Sequence, residues 1–412
     1  MLADPRLTPV LDQTVGSTGG LSSTEPSPPE HVDTYTGSIM NRPSNGSRRR
    51  LRAAVVGSGA ISKEHLTFLS GRSQIAGDVT DRIELAAVCD LSPVAARYAA
   101  DEFGIGQTHT DVGEMLDAAA LDVVHILTPP ATHVRLATAA LEAGADVICE
   151  KPIAGSTGEL EQLLAASRQF GRQVMESHNY RFNDEYLAVR DALNQGRLGD
   201  LTEVEVRICL PVLDPTGRFG DVNLPSPIHM MPAGVIHDFT THFAYLLLGL
   251  SDNVKFHRIA AAWSNHRGAA HFRFDDLDAL LIGDGPSGPV HARLRFDAGS
   301  APDAFTLIVR GTRGWMETDF FQPHLRCVEP RPGGAQLSPI VNHLANGFGL
   351  VRDGVTNFGR KLLQQTPYHG LHRMLDETYR ALGDGAPLPV SPDDMLAASH
   401  LVDQLLDTEV RL

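Results

Sequence analysis

The 412-residue chain has only four cysteines, Cys89, Cys149, Cys209 and Cys327, and none stand in a CxxC or other metal-ligand spacing. That scarcity argues against a disulfide framework and a zinc site, and no metal is expected. The thiols read as ordinary buried side chains in a reducing compartment, which points to the cytoplasm. Cations are also in deficit, with 35 Lys and Arg against 50 Asp and Glu and a formal net charge of -15. A surface that grips nucleic acid or anionic membrane needs clustered cations, so the expected partner is a small molecule rather than either of these. Long apolar runs are missing as well. Phe243–Leu250 falls well short of the roughly 20 residues that span a bilayer, so no transmembrane helix is expected.

What is present is the composition of a globular protein, 42% hydrophobic and 21% charged. The length exceeds what one hydrophobic core usually serves, which predicts two domains and a tail. Residues 1–50 hold clusters such as Gly16-Ser17-Thr18-Gly19-Gly20 and Pro26-Ser27-Pro28-Pro29. With few branched apolar side chains to bury, such a segment cannot offset its ordering entropy, and it is expected to be a disordered tail. Arg48–Arg50 leads into Leu51-Arg52-Ala53-Ala54-Val55-Val56-Gly57, which reads as a strand rather than an export signal.

From there short β-branched runs alternate with helical ones: Ala53–Val56 then Ile61–Leu69, Ile83–Cys89 then Pro93–Phe103, Val123–Leu127 then His133–Ala143, Val147–Cys149 then Gly158–Phe170. Strands separated by helical crossovers predict a parallel sheet, here an α/β Rossmann domain over residues 51–173. Residues 174–412 predict an α+β domain with a large open, mostly antiparallel sheet. Its strands are expected at Leu201–Cys209, Phe256–Ala262, Ala279–Ile282, Val290–Phe296, Phe305–Arg310 and Gly314–Thr318. Helical spacing returns at Leu371–Leu382, ended by Gly383, and at Pro392–Leu406 behind Ser391, an N-cap. These last helices are expected to pack back on the Rossmann domain or at the junction.

Gly57-Ser58-Gly59-Ala60-Ile61-Ser62 follows the first strand and opens a helix, the context in which a glycine motif binds a dinucleotide. Gly57 permits the tight turn. Gly59 lets backbone approach a pyrophosphate at the helix N-terminus, next to Ala60 and Ile61. Ser62 stands where a third glycine is usual. Asp90 ends the second strand, where a carboxylate bonds both ribose hydroxyls and repels a 2′-phosphate, so NAD is expected over NADP.

Further on stand Thr128-Pro129-Pro130-Ala131-Thr132-His133 and, after an Ala-Gly turn, Glu150-Lys151-Pro152; Asp238-Phe239-Thr240-Thr241-His242 lies on a helical stretch. The series resembles the Gfo/Idh/MocA oxidoreductases, the glucose–fructose oxidoreductase and inositol dehydrogenase family. The resemblance runs from Arg52 to the C-terminus and takes in Asn179-Tyr180-Arg181-Phe182. It implies that Thr128, Pro129, His133, Glu150 and Lys151 line the cofactor and that Lys151 enters the active site. It also implies pairing into homodimers or homotetramers through the open sheet. Two departures stand out: Gly234 is the only glycine just ahead of Asp238, and Thr240 stands where relatives often have glycine.

Asp238 and His242, four apart, share one helix face and can converge on one substrate. An imidazole can be neutral near operating pH and take a hydroxyl proton, which makes His242 the acid/base. Lys151 can stabilise the developing alkoxide, with Asp238 orienting His242 or bonding a neighbouring hydroxyl. Tyr180, Arg181 and His237 are further candidates for substrate contact. The expected function is hydride transfer between nicotinamide and a secondary alcohol or ketone of a sugar, inositol or related polyhydroxy compound. One alternative shares every motif, a redox-neutral NAD-dependent glycoside- or sugar-modifying enzyme; the other is a non-catalytic dinucleotide sensor on the same fold, which need not keep Lys151, Asp238 and His242 together as this chain does.

Overall fold

A computed structural model describes residues 50–411, apart from 76, 218, 222–225, 253, 269 and 363–367. The tail expected over residues 1–50 lies outside the described residues except for Arg50. The first domain runs β1 (Leu51–Val56), α1 (Ser62–Leu69), β2 (Ile83–Cys89), α2 (Pro93–Phe103), β3 (Gln107–His109), α3 (Val112–Ala119), β4 (Val123–Ile126), α4 (His133–Glu142), β5 (Asp146–Cys149), α5 (Thr157–Phe170) and β6 (Val174–Glu176). All pairings are parallel, in the order β3-β2-β1-β4-β5-β6. β4 and β5 are buried along their whole length because helices cover both faces, so they read as unbroken runs rather than alternating ones. The order in which successive strands are added reverses between β1 and β4, and a doubly wound sheet opens its ligand crevice at that switch point. The sheet includes β6, past the boundary at residue 173 that the sequence suggested.

Local signals set the helix ends. Ser92 and Ser156 cap α2 and α5 by accepting from the amides of Ala95 and Glu159, and Gly104 and Gly171 close the same helices in the left-handed region.

The second domain holds α6 (Asp184–Asn194), β7 (Leu201–Cys209), α7 (His237–Leu248), β8 (Lys255–Ser264), β9 (Asp276–Gly285), β10 (Gly288–Asp297), β11 (Ala304–Gly311), β12 (Trp315–Asp319), β13 (Leu325–Val328), α8 (Gly334–Leu362), α9 (His369–Asp384), α10 (Pro392–Asp407) and β14 (Glu409–Arg411). Its eight strands follow the order β13-β12-β11-β7-β10-β9-β8-β14, antiparallel except where β7 meets β10 and β8 meets β14. Val204, Val206 and Ile208 of β7 face the core while Glu203, Glu205 and Arg207 face away, the alternation of a half-buried strand. α7 lies in the core of that covered face.

α9 returns to the first domain, where Leu371, Met374, Leu375 and Tyr379 join the Rossmann core. It runs on to Gly385, which takes the left-handed cap at φ +66°, and not to the Gly383 expected from the sequence. α8 was not anticipated as a helix. It stands against the outermost strand, β13, and its polar side chains bond that strand's free edge. Asn346 accepts from the Cys327 amide (2.9 Å) and donates to the Cys327 carbonyl (3.0 Å). Asn342 donates to Glu329 O (2.9 Å), and Asp353 accepts from the Leu325 amide (3.2 Å). An open edge that would otherwise recruit another strand is thereby satisfied.

Beneath α1 and α9 runs a buried polar chain. His65 and His125 meet through their Nδ1 atoms at 2.8 Å, and His125 Nε2 lies 2.8 Å from the Tyr379 hydroxyl. Burial, and secondarily His65, hold the His125 pKa well below its ordinary value, so a neutral ring is what the hydroxyl satisfies. Tyr379→Phe keeps the ring packing on Phe68 but strands that nitrogen. We expect a loss of about 1–3 kcal/mol in urea unfolding, and an unchanged midpoint would show that the pair contributes nothing net.

Candidate active site

The glycine loop after β1 is shaped by its neighbours. Gly57 has φ +97°, and a Cβ on it would come within 2.8 Å of the Leu127 carbonyl, so the turn between β1 and α1 excludes any side chain there. A Cβ on Gly59, by contrast, would meet nothing within 4 Å. Asp90 ties the loop down: one carboxylate oxygen accepts from the Ser58 amide (2.7 Å), the other from the Ser92 amide (2.8 Å). Ala60 is exposed and Ile61 partly so, and the start of α1 has no side-chain cap. Among the described residues the buried Ser58 hydroxyl has no partner. An open loop, an uncapped helix start and an unsatisfied hydroxyl fit a pyrophosphate, and the Asp90 carboxylate retains acceptor capacity for hydroxyls beside it.

Across the switch point, His133 bridges two turns. Its Nε2 lies 2.6 Å from Thr128 O and its Nδ1 2.8 Å from Pro152 O. The ring is fully buried, so the structure gives His133 the task of holding the Thr128-Pro129 turn against the Lys151-Pro152 turn rather than facing the crevice. Glu150 is set 3.4 Å from His65 Nε2. Burial alone would raise its pKa, but His65, Lys151 and Ser177 together outweigh that and hold it low, as an anion. It buttresses the loop from behind.

Lys151 reaches out from the end of β5 to the first turn of α7. Its ammonium lies 2.8 Å from Asp238 Oδ1 and donates to the Asp238 carbonyl at 2.9 Å. An ammonium has three donors, so one proton remains for a bound oxygen. Both side chains are largely buried, with 13% and 14% of their surface exposed, which makes this pair more strongly coupled than a surface ion pair.

One turn along α7 stands His242, packed among Tyr180, Phe239, Tyr245 and Phe305. Its Nδ1 lies 2.6 Å from the Tyr245 hydroxyl, which donates to Asn179 Oδ1 (3.2 Å) and faces the Tyr180 amide (3.4 Å). This chain fixes the tautomer. An amide oxygen can only accept, so the tyrosine proton points to Asn179, and the tyrosine oxygen receives the histidine Nδ1–H. Nε2 then carries the lone pair. Burial, then Lys151 and His178, hold the His242 pKa well below its ordinary value, so the ring is neutral and able to accept a proton. His178 stacks on Tyr245 with centroids 4.5 Å apart and bonds Glu176 at 2.8 Å, which supports the arrangement from below.

The structure thus brings together Lys151, Asp238 and His242, with Tyr180 against His242. It does not bring Arg181 or His237 with them. Arg181 pairs with Asp394 at 3.0 Å, at the start of α10, and its Nε borders Gly249 at the far end of α7. His237 points elsewhere because adjacent residues of a helix diverge by about 100°; its ring lines a small cavity with Pro152, Thr241 and Asp403. Tyr245, Asn179 and His178 were not singled out from the sequence. The only cue was that Tyr245 lies three residues after His242, on the same helix face.

A parallel doubly wound sheet with a glycine loop at its switch point, joined to a domain that presents aspartate and histidine to a loop lysine, defines a two-domain, dinucleotide-binding fold. Residues 51–178 match the Gfo/Idh/MocA family, described as "Oxidoreductase family, NAD-binding Rossmann fold". The chain is similar to a D-apiose dehydrogenase of Paraburkholderia graminis, 32% identical over 151 residues, which make up 37% of this chain and 38% of that one. It is also similar to an inositol 2-dehydrogenase of Rhizobium meliloti, 31% identical over 202 residues, 48% of this chain and 55% of that one. The aligned segments therefore span about half or less of these relatives' lengths. A solved myo-inositol 2-dehydrogenase from Lactobacillus plantarum shares the fold over 87% of this chain and 97% of its own, with TM-score 0.66 and 18% identity.

His237 generates a stability prediction. Burial, partly opposed by Asp238 and Asp403, brings its pKa from 6.5 down to about 4. A histidine held neutral in the fold contributes stability that is complete above 6.5 and is lost as pH falls toward 4, at most about 3 kcal/mol. The urea midpoint should therefore fall between pH 6.5 and 4, with a shallower fall in His237→Gln. An equal slope in the two proteins would contradict this.

Proposed function

We propose that the protein is an NAD-dependent dehydrogenase or reductase acting on a secondary alcohol or ketone of a sugar, inositol or related polyhydroxy compound. The observation that carries this reading is the arrangement of His242, neutral and with Nε2 as its free lone pair, one helical turn from an aspartate-anchored Lys151. The family of the first domain supports the cofactor class, and the names of the relatives support the substrate class. Gly57, Gly59, Ala60 and Ile61 would hold the pyrophosphate, and Asp90 the ribose hydroxyls; the carboxylate favours NAD over NADP. Thr128 and Pro129 would flank the nicotinamide side. When bound, the nicotinamide supplies the hydride acceptor or donor.

The remaining work falls to the chain's own side chains. In the oxidative direction His242 Nε2 takes the hydroxyl proton, while the third N–H of Lys151 donates to the same oxygen and stabilises its developing charge. Asp238 holds the ammonium in place and leaves a carboxylate oxygen for a neighbouring hydroxyl. Tyr180 and Phe239 keep water from the imidazole. A homodimer or homotetramer built through the open sheet is part of this reading.

Absorbance at 340 nm with NAD, then NADP, across inositols, aldoses, uronic acids and amino sugars tests it. Lys151→Ala and His242→Ala should each lower kcat by about 10²–10⁴-fold. Turnover preserved in both would remove the site assignment. Because the His242 pKa is depressed, the acid limb of kcat/KM should lie below pH 6.5, with activity retained as pH falls through that value. Tyr245→Phe frees the ring to take the other tautomer, so kcat should fall with KM nearly unchanged; a pure KM effect would contradict the orienting role.

A further inference from the structure

α8 touches the rest of the protein along one narrow strip. Ser338, Asn342, Asn346, Gly349, Asp353 and Asn357 are its partly or fully buried positions between residues 338 and 357, spaced as one helix face, and all the others in that span are exposed. On the opposite side lies a second strip. Leu337, Val341, Leu344, Phe348, Val351, Val355 and Phe358 alternate spacings of four and three, so that Leu337, Leu344, Val351 and Phe358 recur every seven residues, as do Val341, Phe348 and Val355. Each is between 40% and 75% exposed. At about 100° per residue the two strips point in opposite directions, one into β13 and one into solvent.

We propose that this apolar strip is an interface with a second copy of the same chain, formed by two α8 helices packed antiparallel about a twofold axis at Phe348. The strip is self-complementary under that axis. Leu337 meets Phe358 of the other copy, Val341 meets Val355, Leu344 meets Val351, and Phe348 meets itself, so one patch serves both partners as a twofold contact requires. The seven-residue repeat is that of a helix seam, in which apolar side chains fill holes on the facing helix. Ala345, Gly347 and Gly354 beside the strip leave room for close approach; Cβ atoms on the two glycines would meet nothing within 4 Å. Seven side chains this exposed line about 32 Å of helix on each of two copies, so the surface available to be buried is on the order of the roughly 1,200–2,000 Å² of a stable interface. An apolar patch of this size is otherwise unusual on a soluble surface.

Charge decides against a lipid surface. Helices that lie on membranes carry lysine and arginine along the polar face, whereas here that face holds the asparagines and Asp353 that bond β13. Within α8, Arg352 pairs with Asp353 at 2.8 Å, and the only other cations are Arg360 and Lys361. The chain as a whole carries -15.

The test is the mass of the full chain in solution by light scattering at micromolar concentration, wild type against a Phe348→Glu/Val351→Glu double variant. Both residues are exposed, and circular dichroism checks that the fold is kept. The variant should have half the wild-type mass, whether the wild type is a dimer or a tetramer assembled partly through the sheet. Separately, Phe348→Cys should yield an oxidised, SDS-resistant dimer that wild type, with its native cysteines, does not. Equal masses together with no cross-link overturn the proposal. Pelleting of wild type with phosphatidylethanolamine–phosphatidylglycerol vesicles, lost in the double variant while the masses stay equal, overturns it in favour of a lipid surface.

Discussion

Everything in the candidate site hangs on one ion pair. Lys151 follows the fifth strand of the first sheet and Asp238 belongs to the helix that packs under the second, so their contact sets the two walls of the crevice relative to each other. The aspartate binds the ammonium twice, through its carboxylate and its own carbonyl. With both groups largely out of water, removing either partner would leave a poorly compensated charge, a cost larger than the net value of the pair. The helix start supplies the carbonyl, the loop after β5 supplies the reach, and His133 holds that loop from behind. Each depends on the others being in register.

The imidazole is governed by a different rule. Its placement is apolar and aromatic, and its chemistry comes from a short polar chain that enters from the side: Asn179, Tyr245, then His242. Tyrosine can pass polarity in only one direction once an amide oxygen holds its proton, so three residues suffice to aim a lone pair. The same aromatic walls that exclude water also lower the basicity of the ring. In the proposed reaction a weaker base, neutral at rest beside a fixed cation, would suit a proton whose pKa the cation has already lowered.

The sequence carried the first domain well because strand runs, glycines and Asp90 act locally, each within one turn or one strand end. Lys151, Asp238 and His242 were legible because a spacing of four on a helix and a lysine between strand end and proline are visible without the fold. The supporting residues were not. Tyr245 meets Asn179 across 66 positions and Tyr379 meets His125 across 254, distances over which no periodicity speaks. Arg181 stood among the candidates for substrate contact, and only tertiary structure brings Asp394 to it. α8 was overlooked for a local reason. Its glycines and asparagines are weak helix formers, and their role is apparent only beside β13, where the asparagine amides bond backbone and the glycines make the helix slim.

That contact has a consequence for how the large sheet can evolve. A bare terminal strand can be lengthened, swapped or joined to a neighbour's strand by backbone alone, with little regard for sequence. Here the last strand spends its edge amides and carbonyls on side chains of a helix. Growth of the sheet past β13 is closed unless α8 leaves, and α8 can leave only by exposing that edge. Any new association at this end of the molecule must therefore be negotiated in side chains, residue by residue, which ties it to this particular sequence rather than to the generic stickiness of an open strand.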